Sequence, residues 1–444
     1  MQSKYIHYSN LSSRLDPLYY LSDLAIFTDR QITASIGELC SSMYSGFAAG
    51  KETQVKKESG YIQIRPTNIM PDGRLSFEKN VYVPKNRNYT FIPQKAVLFN
   101  NTNSQELVGK TAILDLPNED QYYCSNHITV IIPDQTKLIP EYLWIILNLY
   151  QRRTIFYSIC TNWNNQSGVN VNLLKSIRIP IFSKEANVSL DYQRKIVAIW
   201  LEAFSVERTK EQEAKDLLDS IDDYLLSELG IERPTLARTE NGRFFYTSFK
   251  EIAGGELAPI SVQNRGKQSK STQYKEIKLS TIASITKGQA ITSKEIVDGE
   301  YPVIAGGQSS PYTHNQYNHK GDVITVSASG AYSGYVWYHD YPIFASDCSV
   351  IFSKDNNVFL TKYIYEILRL RQKEIYLLQK GAGQPHVYAS DLAQITIPVI
   401  SIEKQMEIIL HCNNLRIAAD ELTQEGKNLV ESAKITIEAM ILGE

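Results

Sequence analysis

Absences bound the problem first. No apolar run in the 444 residues reaches the ~20 residues that a membrane-spanning helix needs, and the N-terminal MQSKYIHYSN has no secretory apolar core. The expectation is a soluble, cytoplasmic chain. Cysteine is scarce: Cys40, Cys124, Cys160, Cys348 and Cys412 are odd in number and never closely paired. That excludes a disulfide framework and predicts buried free thiols in a reducing compartment. Catalytic motifs are missing too. Val108-Gly109-Lys110-Thr111 resembles the end of a phosphate-binding loop, but Ser104 stands where the first Gly of that pattern belongs. His314 and His319 have no Cys or acidic companions for zinc. Glu276-Ile277-Lys278 has no Asp in the fifty residues before it and reads as a solvated strand, not a nuclease motif. Neither the Asn/Asp-Pro-Pro-aromatic tetrapeptide of amino-methyltransferases nor a G-x-G-x-x-G fingerprint occurs. The chain is expected to bind, not to catalyse.

Proline and glycine are also missing from Asp191 to Leu229, and Gly230 then closes the run. Apolar residues recur there at helical spacing, at Val197, Trp200, Phe204, Ala214, Leu218, Ile221, Leu225 and Leu229, with Glu207 and Glu211 on the same stripe. A helix of this length extends ~60 Å, and its narrow stripe calls for a coiled-coil partner. The C-terminus supplies one. From Ile402 to Leu442 a three-four alternation links Ile408, Cys412, Leu415, Ala419, Leu422, Gly426, Leu429, Ala433, Thr436 and Met440.

Each helix follows a stretch of strand-like text. In the first copy the strands are Tyr61–Arg65, Ala96–Phe99, Thr111–Leu114 and Ile128–Ile132. A short helix Pro140–Tyr150, a polar loop Thr161–Gly168 and a closing strand Ile177–Pro180 come next. The second copy replays the order. Val323–Val326 matches Val97–Asn100, Ala345–Ile351 matches Cys124–Val130, and Tyr363–Leu370 matches Tyr142–Leu149. Gln384–Pro398 aligns without a gap on Gln166–Pro180, and Gln193 and Gln405 each precede a heptad run. The chain is an internal duplication of head and helix. Between the copies, Asn241–Tyr246 loosely echoes Ser13–Tyr20 and is read as the start of the second head, while residues 261–272 look mobile.

The net charge of −2 conceals a partition. Residues 51–110 carry ten Lys/Arg against five acids, and residues 264–289 carry six against one. The helix 191–230 has ten acids against five basic residues, and 401–444 has eight against four. Positive heads with negative helices would hold phosphates at the heads. The polar loops supply the remaining chemistry, because Asn and Gln amides match the edge of adenine and Arg and Lys suit guanine and phosphate. The candidate contacts in the first head are Arg65, Asn68, Lys79, Lys85, Arg87, Asn101, Asn103, Lys110, Asn162, Asn164, Asn165 and Gln166, around an exposed Trp163. In the second they are Lys287, Gln308, Lys320, Ser329, Tyr332, Ser333, Lys380, Gln384 and His386.

Over essentially its whole length this arrangement resembles the specificity subunit of type I restriction-modification systems. The strongest signatures lie in the second copy: Gly288, Tyr301–Ile304, Gly321–Ile324, Ser329-Gly330 with Ser333-Gly334, Gly383–Val387, and Ile395–Pro398 leading to Gln405. The first copy departs from them, with Gln94-Lys95-Ala96 in place of Lys320-Gly321-Asp322 and Gln166-Ser167-Gly168 in place of Gln384-Pro385-His386, which suggests different half-sites. The resemblance implies an α+β fold in which two α/β target recognition domains, residues 1–190 and 231–400, are separated by two long antiparallel helices, 191–230 and 401–444, forming a coiled-coil spacer. It further implies a non-catalytic chain that binds double-stranded DNA, two modification (methyltransferase) subunits and restriction motor-nuclease subunits. No cofactor is expected on this chain, S-adenosylmethionine belonging to the modification subunit. Two alternatives stay open: the specificity chain of a system with a single methyltransferase-nuclease partner, or a coiled-coil scaffold whose heads bind protein or carbohydrate.

Overall fold

A computed structural model of the chain describes residues 24–29, 31–85, 89–116, 121–163, 166–232, 270–381 and 383–443. The echo between Ser13–Tyr20 and Asn241–Tyr246, and all of 261–272 up to residue 269, lie outside the described residues. The described residues divide into two compact units. One runs up to Thr209 and takes in the chain from Glu425 onward; the other is Lys210–Gln424. The division cuts through both long helices instead of falling at their ends.

Unit 1 is built on an antiparallel four-stranded sheet, β2 (Cys40–Ser45), β9 (Ile128–Pro133), β5 (Val97–Asn100) and β7 (Thr111–Ile113), in that order. Every residue of β5 is buried because both faces are covered. Val97 and Phe99 face the helix α1 (Pro140–Arg152) and its large aliphatic and aromatic core. Ala96 and Leu98 point the other way, into a cluster with Ile64, Ile69 and Tyr122. That second cluster lies under a three-stranded sheet of β4 (Val81–Val83), β3 (Tyr61–Ile64) and β8 (Tyr123–Cys124), β3 and β8 being parallel. Two-residue alternation with no polar face is the sequence consequence of this sandwiching. Each large side chain buried in it contributes about 1.5–3 kcal/mol. A small pair, β1 (Thr33–Ser35) with β12 (Arg178–Pro180), closes the unit. The expected loop Thr161–Gly168 is instead a hairpin, β10 (Thr161–Trp163) and β11 (Gln166–Gly168), and β11 also pairs with β6 (Thr102–Asn103).

Unit 2 repeats the plan. After the two-residue pair β13 (Ile231–Glu232) and β14 (Lys270–Ser271) comes β15 (Glu276–Lys278), paired with β23 (Thr396–Pro398). The main sheet is β16 (Ala283–Lys287), β22 (Cys348–Ser353), β19 (Val323–Ser327) and β20 (Val336–His339). Helix α3 (Thr361–Leu370) covers one face. A sheet of β18 (Thr313–His314), β17 (Tyr301–Ile304) and β21 (Phe344–Ala345) serves the other. The same polar clamps recur. Tyr142 donates its hydroxyl to Pro180 O at 2.8 Å and Tyr363 to Pro398 O at 2.8 Å. Gln193 accepts from Ile139 N at 2.8 Å and Gln405 from Leu360 N at 2.9 Å. Ile139 and Leu360 are the N-caps of α1 and α3 and carry no capping oxygen, so a glutamine from a long helix satisfies each orphan amide.

The repeat holds, but its register inside the sheet shifts by one residue from the one read in sequence. Lys95 and Asp322 are the two left-handed residues that open β5 and β19, with φ of 62° and 50°. Val97 and its partner Ile131 face the helix-side core of unit 1 as Ile324 and its partner Ile351 face that of unit 2, whereas Val323 faces the opposite cluster, so Ile324, not Val323, corresponds to Val97. Ala345 keeps its match to Cys124 through the parallel pairs Ile304–Ala345 and Ile64–Cys124. The turn after it is one residue shorter in unit 2, which absorbs the difference.

The first long helix, α2, spans Ala186–Glu228 and the second, α4, spans Ile402–Leu442. In unit 1 they run antiparallel: Trp200 and Ile196 lie in one apolar cluster with Val430, Ile437 and Ile441, and Glu207 stacks beside Gly426. A Cβ on Gly426 would sit 3.3 Å from Glu207 Cα, so the glycine permits a close helix approach. In unit 2 they are antiparallel as well, with Lys404 bonded to Glu228 at 2.5 Å and the Tyr224 ring 4.0 Å from that of His411. Two stripe expectations need correction. Leu218 is 46% exposed, and the strict alternation in α4 fails after Gly426: Leu429 is 43% exposed and Thr436 is exposed, while Val430, Ala433, Ile437 and Ile441 are buried. Twice, at 426–430 and 437–441, the stripe takes a step of four where the alternation calls for three, which keeps the seam facing its neighbour as the helix drifts.

Candidate functional site

At one end of the main sheet in each unit, four loops converge. In unit 1, Asn101 N donates to His127 O at 3.0 Å, Val169 N to Asn101 O at 2.9 Å, and Gly46 N to Ile128 O at 3.3 Å. The segments after β2, β5, β8 and β11 are thereby tied together. In unit 2 the same ties are Ala328 N to Asp347 O at 3.1 Å, Val387 N to Ala328 O at 3.0 Å and Gly288 N to Cys348 O at 2.9 Å. Strand pairing alone thus assembles the polar loops that sequence spacing left scattered.

In unit 1 the hairpin β10–β11 and the loop after β6 enclose an open cleft of about 450 Å³, lined by Ser104, Gln105, Glu106, Asn162, Trp163, Gln166 and Ser167. Asn162 uses its side-chain oxygen to accept from Ser167 Oγ at 2.6 Å, while its Nδ2 makes no hydrogen bond among the described residues. Gln166 is exposed, and its amide makes none either. The Trp163 indole, 46% exposed, lies across Gly168, where a Cβ would stand 2.3 Å from Cη2. Glycine is required there, since any side chain would displace the ring.

Several candidates are committed to the fold. Asn101 is buried and its Nδ2 donates to Asn126 O at 3.2 Å and Thr129 Oγ1 at 3.1 Å. Asn103, half-buried, donates to Asn100 Oδ1 and accepts from Ser104 N, both at 2.9 Å, so each end of its amide is held by the loop. Asn68 is buried, accepting from Arg65 N and donating to Ser76 O, each at 2.9 Å. Arg65 donates to Ala49 O at 2.7 Å and Gln63 Oε1 at 3.0 Å. Lys110 is the clearest correction: its ammonium is buried against Ile69 O at 2.6 Å and Pro66 O at 3.1 Å, and burial lowers its pKa. An ammonium holding two carbonyls inside the protein cannot also meet a phosphate. Lys79 is exposed beside the end of β3, whereas Lys85 lies at the far end of β4 with its ammonium 5.9 Å from the Tyr61 ring. Arg87, Asn164 and Asn165 lie outside the described residues.

In unit 2, Gln308 and Gln384 are exposed, with side-chain amides unbonded among the described residues, and Tyr332 is 49% exposed. The His386 backbone exchanges both hydrogen bonds with Lys380, at 2.9 and 2.8 Å, and its ring stacks on Tyr388. Ser329 gives its hydroxyl to Asp347 Oδ2. Lys287, exposed, reaches this end of the sheet through β16. Ser333 is contradicted, being fully buried with its hydroxyl inside; Lys380 is ion-paired with Asp391 at 3.0 Å, and Lys320, exposed, precedes β19, at the end of the strand remote from Ser329. Sequence reasoning missed His127 and Asp347, which occupy the same position in the two turns. The match of 345–351 to 124–130 already placed both in a strand-to-strand turn.

Among the described residues no cluster of three His, Cys, Asp or Glu could hold a metal, and no helix is long and apolar enough to cross a membrane. All five cysteines are unpaired; burial pushes Cys40, Cys348 and Cys412 up to about 12, so these thiols stay protonated.

Comparison with known proteins bears on the whole arrangement. A Methanocaldococcus jannaschii protein that carries the name of a type I restriction enzyme MjaX specificity subunit is 33% identical over 85 residues, 19% of this chain and 20% of that protein. A Mycoplasma pneumoniae protein named as the type I specificity subunit S.MpnORF285P is 24% identical over 155 residues, 32% of this chain and 50% of that one. The matches thus span half or less of these relatives' own lengths. Among solved structures, one titled for complex assembly and conformational transition of the type I R-M system covers 92% of this chain and 96% of its own, at 14% identity and a TM-score of 0.52. That likeness speaks for the fold alone. The S subunit of M. genitalium covers 93% and 95% at 16% identity, with a TM-score of 0.46. A family model described as the type I restriction modification DNA specificity domain matches residues 33–217 and again 271–432, once for each head with its following helix, and the chain belongs to that family.

Proposed function

We propose that this chain is the non-catalytic DNA-recognition subunit of a type I restriction-modification complex. Each head reads one half of a bipartite duplex target, and the long helices serve as spacer and as docking site for two modification subunits. The observation that supports this most is the pair of convergent loop ends, built on the same sheet but presenting different side chains. Asn162 Nδ2, the Gln166 amide and the exposed Trp163 indole are offered in one head; the Gln308 and Gln384 amides and the exposed Tyr332 ring are offered in the other. Exposed Lys79 and Lys287 flank them for phosphate contacts. Met406, Leu410 and Ile417 are each more than half exposed and fall on one face of α4, an apolar stripe suited to a helix of a modification subunit. S-adenosylmethionine and the restriction motor-nuclease belong to the partners in this reading.

The test is methylation mapping of a genome in cells that express the modification subunit with and without this chain. The expected result is one interrupted motif that depends on the chain, and duplex binding in vitro that weakens steeply with salt. Tight binding of another macromolecule, indifferent to salt and to duplex sequence, would point to a scaffold instead.

A further inference from the structure

The turn between β8 and β9, and its counterpart between β21 and β22, presents one side chain at an identical backbone position in both heads. Ser125 N bonds Ile64 O at 3.0 Å and Ser346 N bonds Ile304 O at 2.7 Å. Next in the turn, His127 O receives Asn101 N, and Asp347 O receives Ala328 N. Both side chains are partly exposed, and they sit at the centre of the four converging loops. Asp347 has no ion-pair partner within 4.0 Å among the described residues; only the Ser329 hydroxyl reaches it, and it lies against Gly306. The His127 ring makes no hydrogen bond among the described residues, its backbone alone being engaged.

An unpaired carboxylate on a face that meets a polyanion is repelled by every phosphate near it. Such a group is favourable in one setting, where it accepts from an exocyclic amino group on a base edge, foremost cytosine N4 in the major groove. The imidazole has the opposite aptitude, since its ring N–H can donate to a purine acceptor such as guanine O6 or N7. We propose that Asp347 and His127 are paired specificity positions, Asp347 reading an amino-bearing base in the half-site of the second head and His127 reading a purine acceptor in that of the first. Resting on the DNA-recognition reading above, the proposal adds to it which side chain sets one letter in each half.

The experiment maps methylation motifs for the full chain co-expressed with its modification subunit, as wild type, Asp347→Asn, Asp347→Ala and His127→Ala. Asn retains an acceptor for Ser329 while losing the charge, so a purely structural role for Asp347 survives that change. The expected outcome is that D347N and D347A relax or switch a single letter in one half-site, with a loss of discrimination of about 5- to 100-fold at that letter. That letter carries an amino group, cytosine or adenine, in the wild-type motif. H127A is expected to relax one letter in the other half-site only. An unchanged motif in D347N and D347A, or a uniform loss across both half-sites, overturns the proposal. A wild-type chain that yields no motif with its partner would instead sink the recognition reading itself. Thermal melts of each variant identify misfolding; should D347A melt early, D347N alone decides.

Discussion

The two units place different chemistry in the same two slots of the same fold. Where the head helix crosses the long helix, unit 1 has Ile145 on α1 and Phe204 on α2, the latter stacked with Trp200 and 5.9 Å from the Trp144 ring. The positions that correspond in unit 2, counted from the paired glutamines and their capped amides, hold Glu366 and Arg416. These form a bidentate pair at 2.7 and 2.6 Å, with Arg416 also 5.5 Å over the Tyr365 ring that stands where unit 1 has Trp144. In the second slot, unit 1 buries Leu98 and Leu114 in one apolar cluster. Unit 2 buries Thr325 against His339, Oγ1 to Nε2 at 2.8 Å. A slot in this fold therefore accepts an apolar pair or a matched polar pair. What it does not accept is half of each, because a lone buried polar group keeps its desolvation penalty and loses its partner.

The largest expected effect comes from breaking the ionic slot. Arg416→Phe leaves the Glu366 carboxylate, fully buried, without its cation and is expected to destabilise the protein by about 3–5 kcal/mol in urea unfolding. The double variant Glu366→Ile/Arg416→Phe, which installs the pair of unit 1, should recover that loss and can exceed wild type by about 1–4 kcal/mol. A double variant no more stable than the single one would show that the two slots are not interchangeable.

A second expectation concerns pH. Burial depresses the pKa of His339 to about 4, below the ~6.5 of the unfolded chain, despite the opposing field of Asp340. Below pH ~6.5 the unfolded state takes up a proton that the folded state refuses. Stability is therefore complete above ~6.5 and falls by up to about 3 kcal/mol as the pH drops towards 4. Hydrogen exchange of the β20 amides should accelerate over that window, and the Thr325→Leu/His339→Leu variant, which copies unit 1, should lose this pH dependence. An unchanged acid response in that variant would assign the effect to other groups.

The smallest effect tests what the units share. Gln193→Leu and Gln405→Leu each leave one half-buried cap amide without its partner and should cost about 1 kcal/mol, similarly in the two units. A marked inequality between them would mean that the clamp matters in only one head.

The long helices, the duplication and the closing Gln166–Pro180 and Gln384–Pro398 matches were legible because each rests on local periodicity or on spacing within one stretch of chain. The one-residue slip between Val323 and Ile324 was not, since it arises from a turn shortened by one residue some twenty positions away, and a strand's register is set by its neighbours. The phase change after Gly426 escaped for a similar reason, as Leu429 and Val430 are equally apolar in sequence and only the facing helix chooses between them. Among the candidate site residues the polar type was legible and its direction was not. Asn101, Asn103, Asn68 and Lys110 satisfy interior carbonyls and hydroxyls, whereas Asn162 and Gln166, of the same chemical kind, keep amide groups in the cleft.

By itself, then, the amino-acid sequence determined that the chain is two heads each followed by a long amphipathic helix, because period and repeat are properties of consecutive residues. Which amides face outward, and that His127 and Asp347 share one place at the centre of the loops, was decided only when strands far apart in sequence paired. A hydrogen bond such as Asn101 N to His127 O joins residues whose nearness no local pattern encodes.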